Sequence, residues 1–263
     1  DASFVASIII CVSLHSIQVL NNLDILTWSC HMSKTLNLLY LFVIKCKSFV
    51  DKYCFNIYQR TYTLSFKTVR EFETEIARFY DAPYAVAVDC CTHAVELCLR
   101  YTKPQHSIGI PTNTYISIPF VCEKLGLDWH WNDERWESYY HLEGTDIIDA
   151  AVHFEDSGYI PLSFMCLSFQ FKKPLSLGRG GAILCHYESD YIALKKMAYD
   201  GRVDDGPWGD QAIDTIGYHY YMTPETAQMG IDKLPVVAKQ EWRKWSFKDY
   251  PYLPDMPVFT KNL

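Results

Sequence analysis

The sequence has no apolar run long enough to cross a bilayer. Its most apolar early stretches, Ser7–Leu14 and Leu36–Ile44, fall well short of the roughly 20 residues a spanning helix needs. It also lacks a basic excess: 24 Lys and Arg stand against 31 Asp and Glu, a net charge of -7. That balance argues against a nucleic-acid-binding face, which needs clustered positive charge. No Gly-x-Gly-x-x-Gly follows the first predicted strand, so a Rossmann-type nucleotide binder ranks low. None of the ten cysteines pairs at zinc-type C-x-x-C spacing, and no metal site is expected. Cys11, Cys98, Cys122, Cys166 and Cys185 sit inside apolar runs, where a free cysteine behaves as a small hydrophobe. The adjacent Cys90 and Cys91 make poor partners for a relaxed bridge. A reduced, cytoplasmic protein is the expectation. Repeats and low-complexity tracts are absent, and so is the basic start of a signal peptide. The chain begins at Asp1 and its first methionine is Met32. Residues 1–62 are therefore expected to be an irregular extension, read from upstream of a true start.

What the sequence does contain alternates between helical and strand patterns. Thr68-Val69-Arg70-Glu71 reads as a capping box. Val69, Phe72, Ile76 and Phe79 then recur at helical spacing until Asp81-Ala82-Pro83. Tyr84–Val88 is a short buried strand, followed by a helix with Ala94, Leu97, Cys98 and Tyr101 on one side. Ile108–Pro111 is a strand, a helix through Val121 and Cys122 stops at Gly126, and Leu127–Trp131 is another strand. Buried strands are predicted at 146–151, 164–167 and 182–185, and helices at 189–199 and from Thr223-Pro224, an N-cap with Pro at the first helical position. Alternation of this kind predicts an α/β fold.

Three places carry chemistry. The first is Ser168-Phe169-Gln170-Phe171-Lys172-Lys173, which leads into the glycine-rich turn Gly178-Arg179-Gly180-Gly181. A lysine held in a loop between buried strands is desolvated, which lowers its pKa and makes its amine a usable nucleophile. The plainer reading is a solvated basic turn. The second is Asp89–Ala94, a strand-turn-helix with Thr92 at the helix start, where free N–H groups and the helix dipole favour an anion. Many such turns only cap a helix, and His93 beside it is a packing residue or a minor candidate. The third is Asp149, a carboxylate at a strand end facing a ligand crevice; a solvated strand-end aspartate is the alternative for it as for Asp146.

Ser-Phe-x-x-x-Lys with x-x-x-x-Gly-x-Gly-Gly-Ala resembles the cofactor-lysine segment of the DegT-type nucleotide-sugar aminotransferases. These are pyridoxal-phosphate (PLP) enzymes of the aspartate-aminotransferase fold. The resemblance implies a three-layer αβα large domain with a mainly parallel sheet, reduced in size, over residues 63–200. A shortened C-terminal segment with a family-like helix follows at 201–263. It implies that Lys173 holds PLP covalently, Lys172 being one position too early, and that Ser168, Thr92 and the position of Cys91 contact the PLP phosphate. It further implies that Tyr115 stacks on the pyridine ring and that Asp149 pairs with the pyridine nitrogen. His219, within Gly217–Met222, takes the place of an Asn that reaches the phosphate of a partner subunit, so a homodimer is implied. The family pattern is broken by Pro174, Arg179, Cys91 (for Gly), Val152 (for His or Gln) and Tyr221 (for Arg). The stretch from Gly126 to Asp149 is short, as is the aromatic end around Trp242, Trp245, Phe247, Tyr250 and Tyr252. A cysteine at position 91 would be strained if that position required a positive φ.

The function this implies is transfer of an amino group, from glutamate in most relatives, to a keto group of a nucleotide-linked sugar. Retention of Lys173 favours transamination over the dehydration carried out by relatives that replace it with histidine. Its partners are a nucleotide-sugar substrate, an amino-acid donor and a second copy of the chain, with no nucleic acid and no membrane. The contrasting reading is a catalytically degenerate binding or regulatory protein on the same scaffold.

Overall fold

The computed structural model describes residues 65–203 and 207–260; the extension expected at 1–62 lies outside them. Helix α1, Phe66–Tyr80, is capped by Ser65, whose Oγ accepts from Lys67 N–H at 3.3 Å. The capping box read at Thr68–Glu71 thus gives way to a cap three residues earlier. Thr68 N–H already donates to Ser65 O at 2.8 Å, and the Thr68 side chain is buried in the first turn. Val69, Phe72 and Ile76 face the core, and Asp81, in the left-handed region at φ 56°, ends the helix.

The elements then alternate. Strand β1 is Tyr84–Val88, α2 is Cys91–Thr102, β2 is Ile108–Pro111, α3 is Ser117–Leu125 and β3 is Trp129–Asn132. Strands β4 (Tyr140–His141), β5 (Ile147–Asp149), β6 (Phe164–Ser168) and β7 (Gly181–Cys185) follow, then α4 (Glu188–Ala198), α5 (Pro224–Val237) and the short α6 (Pro257–Thr260). Thr223 caps α5, with Pro224 in its first turn as read.

The larger sheet has the order β1-β7-β6-β5-β4, and β2 pairs with β3 in a separate parallel ribbon. Strands β1, β6 and β5 run one way, while β7 and the two-residue β4 run against them. The sheet is therefore mixed rather than mainly parallel. The cause is local: β6 and β7 are joined by one loop, and a parallel neighbour would need a crossover element between them.

Alternate residues of the strands feed two separate cores, as period-two geometry demands. Val86, Val88, Ile147, Cys166 and Ile183 pack with Ala94, Leu97, Cys98 and Leu194 on the α2 and α4 side. Ala85, Ala87, Ile148, Met165 and Leu184 pack with Phe72, Ile76, Ala227 and Leu234 on the α1 and α5 side. The result is the αβα layering that the sequence implied. Glu73 is buried within it, accepting from Ala87 N–H and from Lys195 Nζ at 2.8 and 2.9 Å. Among the described residues no helix is long and apolar enough to cross a membrane. The six described cysteines are all free.

Candidate functional site

The carboxyl ends of β1, β2, β5 and β6 open onto one cavity of about 360 Å³. In an open α/β sheet this edge is where the crevice forms and where strand-end side chains converge. Cys91, Thr92, Tyr115, Asp149, Ser168 and Lys173 all line it. Six of the seven sequence candidates, separated by up to 82 positions, are thus brought together.

Lys173 is half-buried, and its Nζ makes no hydrogen bond among the described residues. The loop fixes it from the backbone, Lys173 N–H donating to Gln170 O at 2.8 Å, while Nζ lies 5.8 Å from the centre of the Trp245 ring. Burial pulls its pKa below the ordinary lysine value, against the attraction of Cys91 and Asp149. Lys172, its neighbour, lines the same cavity but is exposed, with Nζ over the Phe171 ring.

Asp149 ends β5 and is 5% exposed. Its Oδ1 accepts from Ala151 N–H at 2.9 Å and its Oδ2 from the Tyr140 hydroxyl at 2.7 Å. Burial raises its pKa, opposed by those two bonds and by Lys173. An ionised carboxylate has about four acceptor positions, so two remain for a ligand.

At the other end of the cavity no side chain caps α2, so the N–H groups of its first turn are not spent on a cap. Cys91 lies inside the helix and is not among the positive-φ residues, so no glycine is required there. Its thiol donates to Cys166 O at 3.4 Å. Thr92 Oγ1 lies 2.8 Å from Ser117 Oγ, and Ser168 Oγ accepts from Gln170 N–H at 3.4 Å. Glycine is required instead at Gly181. A Cβ there would meet the backbone of Cys90, Cys91 and Leu167 within 2.6 to 2.8 Å, so β7 starts directly against the start of α2.

Arg179 Nη2 donates to Asp89 Oδ2 at 2.8 Å, and His93 Nδ1 lies 2.6 Å from Asp89 Oδ1. Burial disfavours charge on His93, but its bonds to Asp89 and Cys90 outweigh this and push its pKa to about 9. Asp89, Cys90 and His93 are close enough together to hold a metal ion. However, both Asp89 oxygens already face cations, which opposes a third.

Against known proteins, residues 47–133 match the model of the DegT/DnrJ/EryC1/StrS aminotransferase family. The family this chain resembles is that one. A curated relative, dTDP-3-amino-3,4,6-trideoxy-alpha-D-glucose transaminase from Micromonospora megalomicea subsp. nigra, is 29% identical over 118 residues. That alignment takes in 43% of this chain and 31% of the relative, so the chain matches about a third of that protein's length. The crystal structure of AtS13 from Actinomadura melliaura superposes with a TM-score of 0.61 at 18% identity, over 70% of this chain and 64% of that one. A sugar aminotransferase from Micromonospora echinospora gives 0.53 at 16%, over 65% and 60%. A DegT DnrJ EryC1 StrS aminotransferase from Brucella abortus gives 0.55 at 18%, over 66% and 59%. At these identities the structural likeness is one of fold.

Two departures from the DegT-type pattern have a definite place. Val152 is buried and lines the cavity, putting an apolar group where a His or Gln was expected. His219 does not line the cavity; its Nδ1 sits 3.0 Å from Asp200 Oδ2 and its side chain is 70% exposed. The cavity also holds residues to which the sequence reading gave no role in the site: Thr114, Trp136, Tyr140, Arg179, Trp245 and Tyr250. Trp136 and Tyr140 lie in an interval without periodicity. Trp245 and Tyr250 come from the aromatic end of the chain, held by Ser138 N–H donating to Trp245 O and Phe247 N–H donating to Trp136 O. A Tyr and Trp cluster at 136–140 was the only signal available for the first pair.

Proposed function

We propose that this chain is a PLP-dependent aminotransferase that moves an amino group, glutamate being the donor, onto a keto group of a nucleotide-linked sugar. The observation that carries this reading is Lys173: a half-buried amine whose pKa burial lowers, with no hydrogen bond to Nζ among the described residues, in one cavity with Asp149, Thr92, Ser168 and Tyr115. The donor set fits the cofactor. A buried carboxylate at one end suits a ring N–H, and uncapped helix N–H groups with Thr92 and Ser168 at the other suit a phosphate. When bound, PLP supplies an electron sink for the carbon that loses its proton.

The chain's own residues do the rest. Lys173 would hold the cofactor covalently, and its amine, tethered beside the reacting carbon, would take and return the proton there; burial lowers its pKa, which suits that role. Tyr115, 57% exposed on the cavity wall, is the flat apolar surface on which a ring stacks. Asp149 would pair with the ring nitrogen, and Cys91 and Ser168, which line the same cavity, would stand at the phosphate end. His219 is assigned to a partner's phosphate in a homodimer, residues 63–200 carry most of the cofactor site with Trp245 and Tyr250 added from the segment after them, and the setting is cytoplasmic.

Borohydride trapping with PLP, followed by peptide mass mapping, tests this. The expected result is a reduced pyridoxyl adduct on Lys173 that is lost in Lys173→Ala and kept in Lys172→Ala. An adduct on Lys172 alone shifts the register by one. No adduct from folded protein leaves the second reading, a binding scaffold, which Val152 in the cavity wall and His219 bound to Asp200 favour.

A further inference from the structure

Tyr140 is 3% exposed, and its hydroxyl touches Thr114 Oγ1 on one side and Asp149 Oδ2 on the other. The direction of this chain follows from chemistry. Tyr140 donates its single proton to Asp149 Oδ2, so Thr114 must donate to the Tyr140 oxygen. Residues 140 and 149 are also register partners across β4 and β5, which aligns their side chains on one face. Thr114 adjoins Tyr115, and Asn113 O accepts from Trp136 Nε1 at 2.8 Å. Thus the loop that carries Tyr115 and the strand end that carries Asp149 meet at one phenol.

From this geometry we infer that Tyr140 is a positioning residue of the cofactor site, holding Asp149 ionised and fixing its distance from the Tyr115 loop. The inference rests on the PLP reading above. The charged and titratable groups facing Asp149 are Cys91 from α2, Cys166 from β6, Lys173 from the β6–β7 loop, Tyr140 from β4 and Tyr250 from the C-terminal segment. Of these only Tyr140 hydrogen-bonds the carboxylate, and only Lys173 adds positive charge. Burial alone drives Asp149 toward its neutral form, and a neutral Asp149 loses its hold on a protonated ring nitrogen. Hydrogen-bonded networks of this kind gain strength along the chain, so Thr114 supports Tyr140 in turn.

The test compares wild type with Tyr140→Phe and Thr114→Val. In the cofactor-free protein, the Asp149 carboxyl is titrated by carbon NMR, assigned against Asp149→Asn. Separately, PLP affinity is measured by equilibrium dialysis at several pH values. Tyr140→Phe is expected to raise the Asp149 midpoint by about one pH unit or more, weaken PLP about tenfold, and move loss of PLP on acidification to higher pH. Thr114→Val should shift all three in the same direction by less, and it carries the test if Tyr140→Phe fails to fold. An unmoved Asp149 midpoint overturns the inference, as does a moved midpoint with unchanged PLP affinity. A wild-type protein that takes up no PLP overturns the cofactor reading itself, and with it the assignment of Tyr140 to a cofactor site.

Discussion

Arg179 and Asp89 meet at 2.8 Å across ninety residues of sequence, joining the glycine turn after Lys173 to the turn that starts α2. Arg179 is 67% exposed and Asp89 25% exposed at their side chains. A pair this open to solvent contributes at most about 1 kcal/mol to stability. Its larger effect lies in the loop, because Arg179 lines the cavity and Asp89 directly precedes Cys90, which lines it too. Arg179→Glu places two carboxylates face to face there. The expected outcome is a Tm within a few degrees of wild type, but PLP binding weakened several-fold and faster proteolysis within 170–180. Arg179→Lys should restore most of the binding. Equal affinity in all three proteins would show that the bridge has no part in the site.

The second prediction concerns His93. Its folded pKa, about 9, lies above the ordinary value near 6.5. A raised histidine pKa stabilises the fold fully below the unfolded value, and that stability is lost as pH rises through the folded one. The window is therefore roughly pH 6.5 to 9. With the ring partly exposed, the contribution is on the order of 1–2 kcal/mol. Urea unfolding at pH 6 and pH 9.5 should show this decline in wild type and a flatter profile in His93→Gln. The stacked contact of His93 on Tyr220, 3.6 Å between ring centres, is lost in both states of the variant and drops out of the comparison.

How much of this was legible in sequence follows from which interactions are local. Tyr84–Val88 and Ile108–Pro111 are found at the residues read, because each apolar run is bounded by a proline or a polar turn. Thr92, Tyr115, Asp149, Ser168 and Lys173 converge because each stands at or shortly after the carboxyl end of a strand, and the carboxyl ends of β1, β5 and β6 and of the separate β2 open onto the same cavity. Tyr140 was not legible, since a two-residue strand leaves no period to detect. Nor was the seal made by Trp245 and Tyr250, which depends on backbone pairing between residues about a hundred positions apart. The concern over Cys91 dissolves for a related reason: the close approach that demands a glycine comes from Gly181, on another strand.

A third prediction follows from Glu96, whose side chain is 1% exposed. It accepts from Arg100 Nε at 2.9 Å, Lys124 Nζ at 2.9 Å and the Tyr220 hydroxyl at 3.2 Å. Burial raises its pKa, but Lys124 and Arg100 outweigh that and hold it below the ordinary glutamate value. A depressed carboxylate stabilises the fold above its unfolded pKa, and that stability is lost as pH falls through the folded one. Arg100→Met leaves the buried carboxylate with Lys124 as its one cation, beside the Tyr220 hydroxyl. The expected cost is about 2–3 kcal/mol at pH 7, the low side of the range for a broken buried pair because one cation stays. Acid unfolding should begin at a higher pH in the variant, read by fluorescence across a pH series. Lys124, 52% exposed, should matter less when removed, and the order Arg100 over Lys124 is the point to check.

The glycine turn gives the sharpest contrast. At Gly178 the backbone has φ 80°, and a Cβ would meet nothing within 4 Å. Gly178→Ala therefore costs only the left-handed strain, about 1–2 kcal/mol. At Gly181 the φ is not positive, but a Cβ would press on backbone atoms of Cys90, Cys91 and Leu167, none of which can swing aside as a side chain would. Gly181→Ala must push β7 away from the start of α2, at a cost of about 3 kcal/mol or more. The two variants should separate in function as well as stability. Gly178→Ala should bind PLP within a few-fold of wild type, because only the outer turn is strained. Gly181→Ala should lose PLP binding even at temperatures where it stays folded, because forcing β7 and the start of α2 apart displaces the first-turn N–H groups of α2. Circular dichroism melts alongside dialysis with PLP read both quantities on the same samples. Similar losses in the two variants would mean that conformational freedom, not the close approach of β7 to α2, sets the need for glycine in this turn.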